Sequence, residues 1–319
     1  MRAGIRTGNQ ESELVLASGT PAPTMPRILF RMPTTRIALL SEIPDITTGE
    51  LQRTAAAVQR QLTDDFGPAW QIDATIHSFA SDEDVPADCW RVTVTWDVPR
   101  GDGVHQDDAG TPVAFVEWVD DWSAVVSHEV MEMLADPDGS RLISAPSIKA
   151  GQGVVSYLVE VSDPCEAAQF HYEIDGLKVS DFCLPAYYDT APAPGGTYSH
   201  RRNLLAPHDV RPGGYLTWND PSDGHWWQAR WFDGAQPSFH DLGTAPPTGS
   251  FRAWIDAATM PAQTACKLGR NEKLLGELEA RCQKAHELLR YRAQRVRTHF
   301  AAFERKRYSA EPQRERRSP

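Results

Sequence analysis

A histidine and two glutamates near the middle of the chain form the arrangement best suited to chemistry. They are His128, Glu129 and Glu132, within the segment Ser127–Pro137. On a helix, residues four apart lie on one face, so His128 and Glu132 can hold a metal ion while Glu129 acts as general base on a metal-activated water. Metallopeptidases use this layout with a second histidine in the last position. The sequence therefore predicts a hydrolytic metal site with glutamate as its second ligand.

The residues around this motif predict a buried helix. Apolar side chains between Trp122 and Ala135 fall on nearly all sides, Asp120 or Asp121 can cap the start, and Asp136–Gly139 forms a turn that ends it. Buried ionisable groups need a partner, and a cation is the simplest one that the histidine and both glutamates can share. The alternative is an ordinary hydrogen-bonded pair of histidine and glutamate on a half-exposed helix.

A third protein ligand must come from outside the helix. Glu160 and Asp163 end an apolar segment, Val154–Val161, that predicts a strand. Because they are three residues apart, an extended chain directs them to opposite faces, so only one should face the metal. Asp138, ten residues after the histidine, is the other candidate, and the alternative role of Asp163 is only to begin a turn. The oxygen-rich set fits Zn²⁺ or another divalent cation such as Mn²⁺.

Five segments of the chain are Gln59–Trp70, Ser127–Pro137, Glu160–Glu166, Val179–Tyr188 and Pro212–Tyr215. They follow in the order seen in a group of mostly uncharacterised bacterial and phage proteins. The chain resembles this group, whose members look like H-E-x-x-E variants of the zincin metallopeptidases. The resemblance spans Arg27 to Tyr215 and implies a zincin-like fold, but no particular substrate. More distantly, the chain is similar to secreted plant and microbial proteins of the exordium type, although it lacks their secretion signal.

Hydrophobic periodicity predicts an α+β fold in which a mixed sheet carries the motif helix. Thr47 and Glu50 have capping-box spacing and predict a helix that runs to about Asp65 and stops at Gly67-Pro68. A hairpin with four tryptophans predicts aromatic core packing or, alternatively, a carbohydrate-binding platform. Further strands are expected at residues 28–30, 36–40, 70–79, 90–98, 113–118 and 154–161, and hairpins at 172–179 and 215–232.

Composition changes along the chain predict its domain organisation. Residues 1–25 should form a disordered leader, 26–245 the zincin-like domain, 246–261 a linker, 262–308 a long amphipathic helix and 309–319 a disordered basic tail. Apolar residues recur every seven positions in the long helix, which either docks on its own domain or drives homo-oligomerisation. Residues 260–319 carry fifteen Lys and Arg against seven Glu, whereas the whole chain has a net charge of -11.

These features narrow the classes of function. The acidic body disfavours nucleic acid as a ligand, except through the basic tail. No segment is apolar enough to span a membrane, no secretion signal is evident, and five cysteines form an odd count without a C-x-x-C pair, so a cytoplasmic protein is expected. The principal hypothesis is a zinc-dependent peptidase acting on a peptide or protein substrate. The alternative is a non-catalytic structural or interaction protein, for example of a phage, that keeps a zincin-like fold.

Overall fold

A computed structural model describes residues 34–96, 98, 103–108, 111–247 and 251–259 of the protein. Over these residues the chain is an α+β protein, as predicted, built from two five-stranded sheets, a short hairpin and a few helices. The predicted leader, the strand at 28–30, the long helix 262–308 and the basic tail lie outside the described residues. Among the described helices, none has the length and apolar character needed to cross a bilayer.

The first sheet is mixed. Its order is β2-β1-β3-β5-β4, with β1, β2, β3 and β5 parallel to one another and β4 antiparallel at the edge beside β5. On β3, Val92 and Val94 alternate with polar neighbours and are fully buried, and Val116 of β5 is fully buried as well. The strands are β1 (Thr35–Ser41), β2 (Ala74–Ser78), β3 (Cys89–Thr95), β4 (Gly103–Asp108) and β5 (Thr111–Glu117).

The helix α1 (Thr48–Arg60) begins at the predicted capping box. Thr47 accepts from the backbone N–H of Glu50, and the Glu50 carboxylate accepts from the backbone N–H of Thr47. The predicted end of the helix at Gly67-Pro68 is wrong, because helical structure continues through a π-helical segment (Gln61–Phe66) and a short helix, α2 (Gly67–Trp70). Proline is tolerated there because the first turn of a helix needs no donor from it.

The second sheet is antiparallel, in the order β12-β11-β10-β7-β6. Its central hairpin carries the four tryptophans, of which Trp218 is fully buried and Trp226 is 9% exposed, so this hairpin packs in the core. A separate two-stranded hairpin turns at Asp175-Gly176, as predicted, with both residues at positive φ. The strands are β6 (Leu142–Pro146), β7 (Val154–Leu158), β8 (Tyr172–Ile174), β9 (Leu177–Val179), β10 (Tyr215–Asn219), β11 (His225–Arg230) and β12 (Ser238–Thr244).

The motif helix, α3 (Trp122–Ala135), shares one continuous hydrophobic core with both sheets. It packs against β4 and β5 of the first sheet and against β9 of the short hairpin. Residues 251–259, for which the sequence predicted a linker, instead form a helix, α4, and bury Arg252 and Asp256. The motif helix is therefore enclosed on several sides, with α4 contributing a basic group to the interior.

Candidate metal centre

The motif helix α3 is buried, as its apolar residues predicted. Eleven of its fourteen residues are buried, including Glu129 and Glu132. Asp121, one of the two predicted capping residues, has left-handed backbone and makes no cap; its carboxylate accepts from Lys178 at 2.7 Å. At the other end, the carboxylate of Asp136 accepts from the backbone N–H groups of residues 140 and 141. The helix therefore carries acidic side chains into the protein interior.

Three of the predicted ligands converge at one place. His128 Nε2 lies 3.3 Å from Glu132 Oε1 and 3.3 Å from Asp163 Oδ1. The helical turn brings His128 and Glu132 to one face, and Asp163 arrives on a 3₁₀ turn (Asp163–Cys165) that follows β7. The backbone N–H of Ser162 donates to Glu132 Oε1 at 3.1 Å and ties this turn to the helix. One nitrogen and two carboxylate oxygens thus lie within 4.8 Å of one another.

Burial and mutual charge shift the pKa of each of these three groups. Burial lowers the pKa of His128, but the charge of Glu132 and the neighbouring Asp163 outweigh it and raise that pKa well above the usual value. Burial raises the pKa of Glu132, and the charge of His128 reverses this and lowers it. Burial and the charge of Glu132 raise the pKa of Asp163 well above its usual value. The cluster attracts positive charge, as protons or as a cation.

His105 joins the cluster from β4 and was not predicted from the sequence. Its ring is fully buried, and its Nδ1 lies 3.4 Å from Glu129 Oε2 and 3.6 Å from Glu132 Oε2. The sequence between residues 97 and 112 is rich in Gly, Asp and Pro, which is typical of a loop. The nearest signal is Asp108-Ala109-Gly110, a short turn sequence that would have indicated a hairpin and hence a strand containing His105.

The spacing of the donor atoms fits a cation. The four histidine–carboxylate separations are 3.3–3.6 Å, longer than the roughly 2.7–3.2 Å of N–H···O hydrogen bonds. Ligands held tetrahedrally at about 2.1 Å from one metal lie about 3.4 Å apart. Among the described residues, Oδ2 of Asp163 and the Oε2 atoms of Glu129 and Glu132 have no hydrogen-bond partner. Buried polar atoms seldom lack a hydrogen-bond partner or a cation, because removing them from water without one is costly.

Glu160, the other acidic residue predicted as a third ligand, contacts an arginine instead. Its carboxylate forms an ion pair with Arg252 of α4, and Arg252 Nε lies 2.9 Å from Asp256 Oδ1. All three side chains are less than 10% exposed. Burial lowers the pKa of Arg252, but Asp256, Glu132 and Glu129 together raise it above its usual value. Glu160 is therefore neutralised by a guanidinium, and it belongs neither to the cluster of His128, Glu132 and Asp163 nor to that of His105, Glu129 and Glu132.

The predicted ligand Asp138 and the nearby thiol of Cys165 lie outside the cluster. Asp138 is exposed on the turn after α3, so it is not the third ligand. Cys165 is fully buried, and burial raises the pKa of its thiol well above the usual value, which keeps the thiol protonated. It belongs to neither group of possible ligands, so it is a packed side chain. The candidate centre therefore comprises two histidines and three carboxylates.

Comparisons of the chain with profiles of known protein families, with curated proteins and with solved structures found no match.

Proposed function

We propose that this protein is a metal-dependent hydrolase of peptide bonds with a zincin-like fold. The observation that carries the proposal is the convergence of His128, Glu132 and Asp163, in which His128 Nε2 lies 3.3 Å from an oxygen of each carboxylate and Glu129 follows His128 in the sequence. These three side chains are 13%, 0% and 2% exposed, so their charges are largely removed from water. Their nitrogen and carboxylate oxygens suit Zn²⁺ or Mn²⁺.

Glu129 would act as the general base. A divalent cation at this position supplies Lewis-acid polarisation and increases the acidity of water. Glu129 Oε2 is buried without a hydrogen-bond partner among the described residues, so it is available to accept a proton. In hydrolysis, the water oxygen bonds to the peptide carbonyl carbon and the C–N bond breaks. Glu129 takes the proton from water and passes it to the departing amine.

The arrangement of β4 supports a peptide substrate. β4 is antiparallel at the edge of its sheet, with β5 on one side and no strand of the described chain on the other. It packs against α3, so an extended peptide paired to its free edge would run past the motif helix. Parallel strands, an antiparallel edge strand and the motif helix together favour a zincin-like fold.

The experiment combines metal analysis with hydrolysis of a peptide library. Glu129→Gln preserves size and removes the base, so we expect it to keep a bound cation and to lose about 100-fold or more in hydrolysis. His128→Ala should lose the cation held by His128, Glu132 and Asp163. Glu173→Gln, at an exposed position of β8, is the matched control and should behave as wild type. Wild-type protein without metal, or full hydrolysis in Glu129→Gln, would refute the proposal.

The burial of the cluster favours one alternative, a protein that uses the cation only to hold its fold. His128, at 13% exposure, is the most accessible of the three proposed ligands, which leaves a narrow approach for a substrate. A structural cation would raise the thermal stability of the protein, while neither wild type nor Glu129→Gln would hydrolyse any peptide. The same variants therefore distinguish the two functions.

A further inference from the structure

The two oxygens of the Glu132 carboxylate face different histidines. Oε1 lies 3.3 Å from His128 Nε2, and Oε2 lies 3.6 Å from His105 Nδ1. We propose that His105, Glu129 and Glu132 form a second cation site, and that Glu132 bridges it to the site of His128 and Asp163. The centre would then hold two divalent cations side by side, with one carboxylate shared between them.

The second site has its own complete set of donors. His105 is fully buried, and neither of its ring nitrogens has a hydrogen-bond partner among the described residues. Its Nδ1 faces Glu129 Oε2 at 3.4 Å, and the Oε2 atoms of Glu129 and Glu132 are also buried without such a partner. A nitrogen and two carboxylate oxygens within 4.8 Å of one another repeat the chemistry of the first site.

A bidentate ion pair or a hydrogen-bonded histidine would explain this geometry less well. At 3.4 and 3.6 Å, His105 Nδ1 is too far from both carboxylates for a good N–H···O bond, and one N–H cannot serve both well. A cation bound by all three groups needs donors about 3.4 Å apart. A cation at this position would therefore give a partner to His105 Nδ1, but not to Nε2.

Charge also favours a second cation. Glu129, Glu132 and Asp163 together carry three negative charges when ionised, and one divalent cation leaves the set negative. The neighbouring guanidinium of Arg252 is already paired with Glu160 and Asp256. With two divalent cations the donor set becomes net positive, which suits a site that must stabilise negative charge developing on a substrate oxygen.

The effect of a second cation on catalysis rests on the proposed hydrolase function, whereas the number of cations bound per chain does not. An anionic Glu132 in place of a histidine reduces the Lewis acidity of a single cation. Sharing its carboxylate between two cations divides that charge and restores part of the acidity. In the two-cation form Glu129 is a ligand, and its role as general base belongs to the one-cation form.

The test is a titration of the full-length protein with Mn²⁺ after chelation and dialysis. Isothermal calorimetry and elemental analysis should give two ions per chain for wild type and one for His105→Gln or His128→Gln. His208→Asn replaces a buried histidine that belongs to neither metal-binding group and should retain two. Electron paramagnetic resonance should show exchange-coupled Mn²⁺ pairs in wild type and an isolated six-line spectrum in His105→Gln.

Each result bears on the two proposals differently. One ion in wild type, lost in His128→Gln, would overturn the second site and leave the proposed function standing. Two ions that persist in His105→Gln, or two ions without exchange coupling, would also overturn it. No bound ion in wild type would refute both proposals. Because the wild-type stoichiometry and spectrum are decisive alone, the test does not depend on the folding of His105→Gln.

Discussion

Replacing Arg252 by methionine should destabilise the protein strongly without touching a proposed ligand. Methionine has a similar length and no charge, so the change removes the guanidinium and leaves most of the volume of the side chain. Arg252 is 8% exposed, and it pairs with Glu160 and Asp256, which are each 3% exposed. Without it, two buried carboxylates lose their shared counter-charge.

The magnitude follows from the cost of a buried charge without its partner. Removing one member of a buried ion pair typically costs about 3–5 kcal/mol of unfolding free energy. A domain of this size changes its melting temperature by about 2–4 °C per kcal/mol, so Arg252→Met should melt roughly 10 °C lower. The double variant Arg252→Met, Glu160→Gln should regain part of this loss, because it removes one of the two uncompensated charges and leaves that of Asp256.

The assay is urea unfolding followed by circular dichroism in the presence of a chelator, so that cation binding does not contribute to the measured stability. Arg36→Met is the matched control, because the pair of Arg36 with Asp88 is exposed at 46% and 63%, and exposed pairs contribute little. If Arg252→Met unfolds within about 1 kcal/mol of wild type, the buried ion pair does not hold α4 in place and the reasoning fails.

Two further predictions concern a buried histidine and a glycine beside the centre. Burial lowers the pKa of His208 to about 4 from its ordinary 6.5, so stability is full above pH 6.5 and falls as the pH drops towards 4. The free energy of unfolding lost on acidification should approach roughly 3 kcal/mol. The urea midpoint should therefore fall less between pH 7 and pH 4 in His208→Asn than in wild type. Parallel dependence of the two midpoints on pH would contradict this. A methyl group at Gly103 would collide with the carboxylate of Glu129, so Gly103→Ala should weaken binding of the second cation about 10-fold in the Mn²⁺ titration. Gly153→Ala, where nothing lies within 4 Å of the added carbon, should bind as wild type, and equal binding by both variants would contradict the prediction.

Local sequence rules predicted the parts of the fold that depend on neighbouring residues. The capping box at Thr47 and the hairpin at Asp175-Gly176 follow from side chains a few residues apart, and both are present. The placement of His128 and Glu132 on one helical face was also predictable, because it follows from their spacing of four residues. Burial of α3 was also predictable, because apolar residues surround it on nearly all sides.

Features that depend on distant pairing were missed. His105 enters the cluster only because β4 pairs with β5, and no periodicity in its own segment indicated a strand. The choice between Glu160 and Asp163 was left open because it depends on where β7 ends and the 3₁₀ turn begins. Arg252 lies in a segment flanked by prolines, so its helix was predicted as linker.

The pairing of Arg252 with Glu160 determines how small a piece of this chain can carry the centre. All proposed donor groups are present by residue 163, yet the guanidinium that balances their acidic neighbour comes from the last described helix. A fragment ending before residue 251 would keep every donor and lose that positive charge. Transplanting the motif helix and its sheet into another scaffold would accordingly require the host to supply a buried basic side chain.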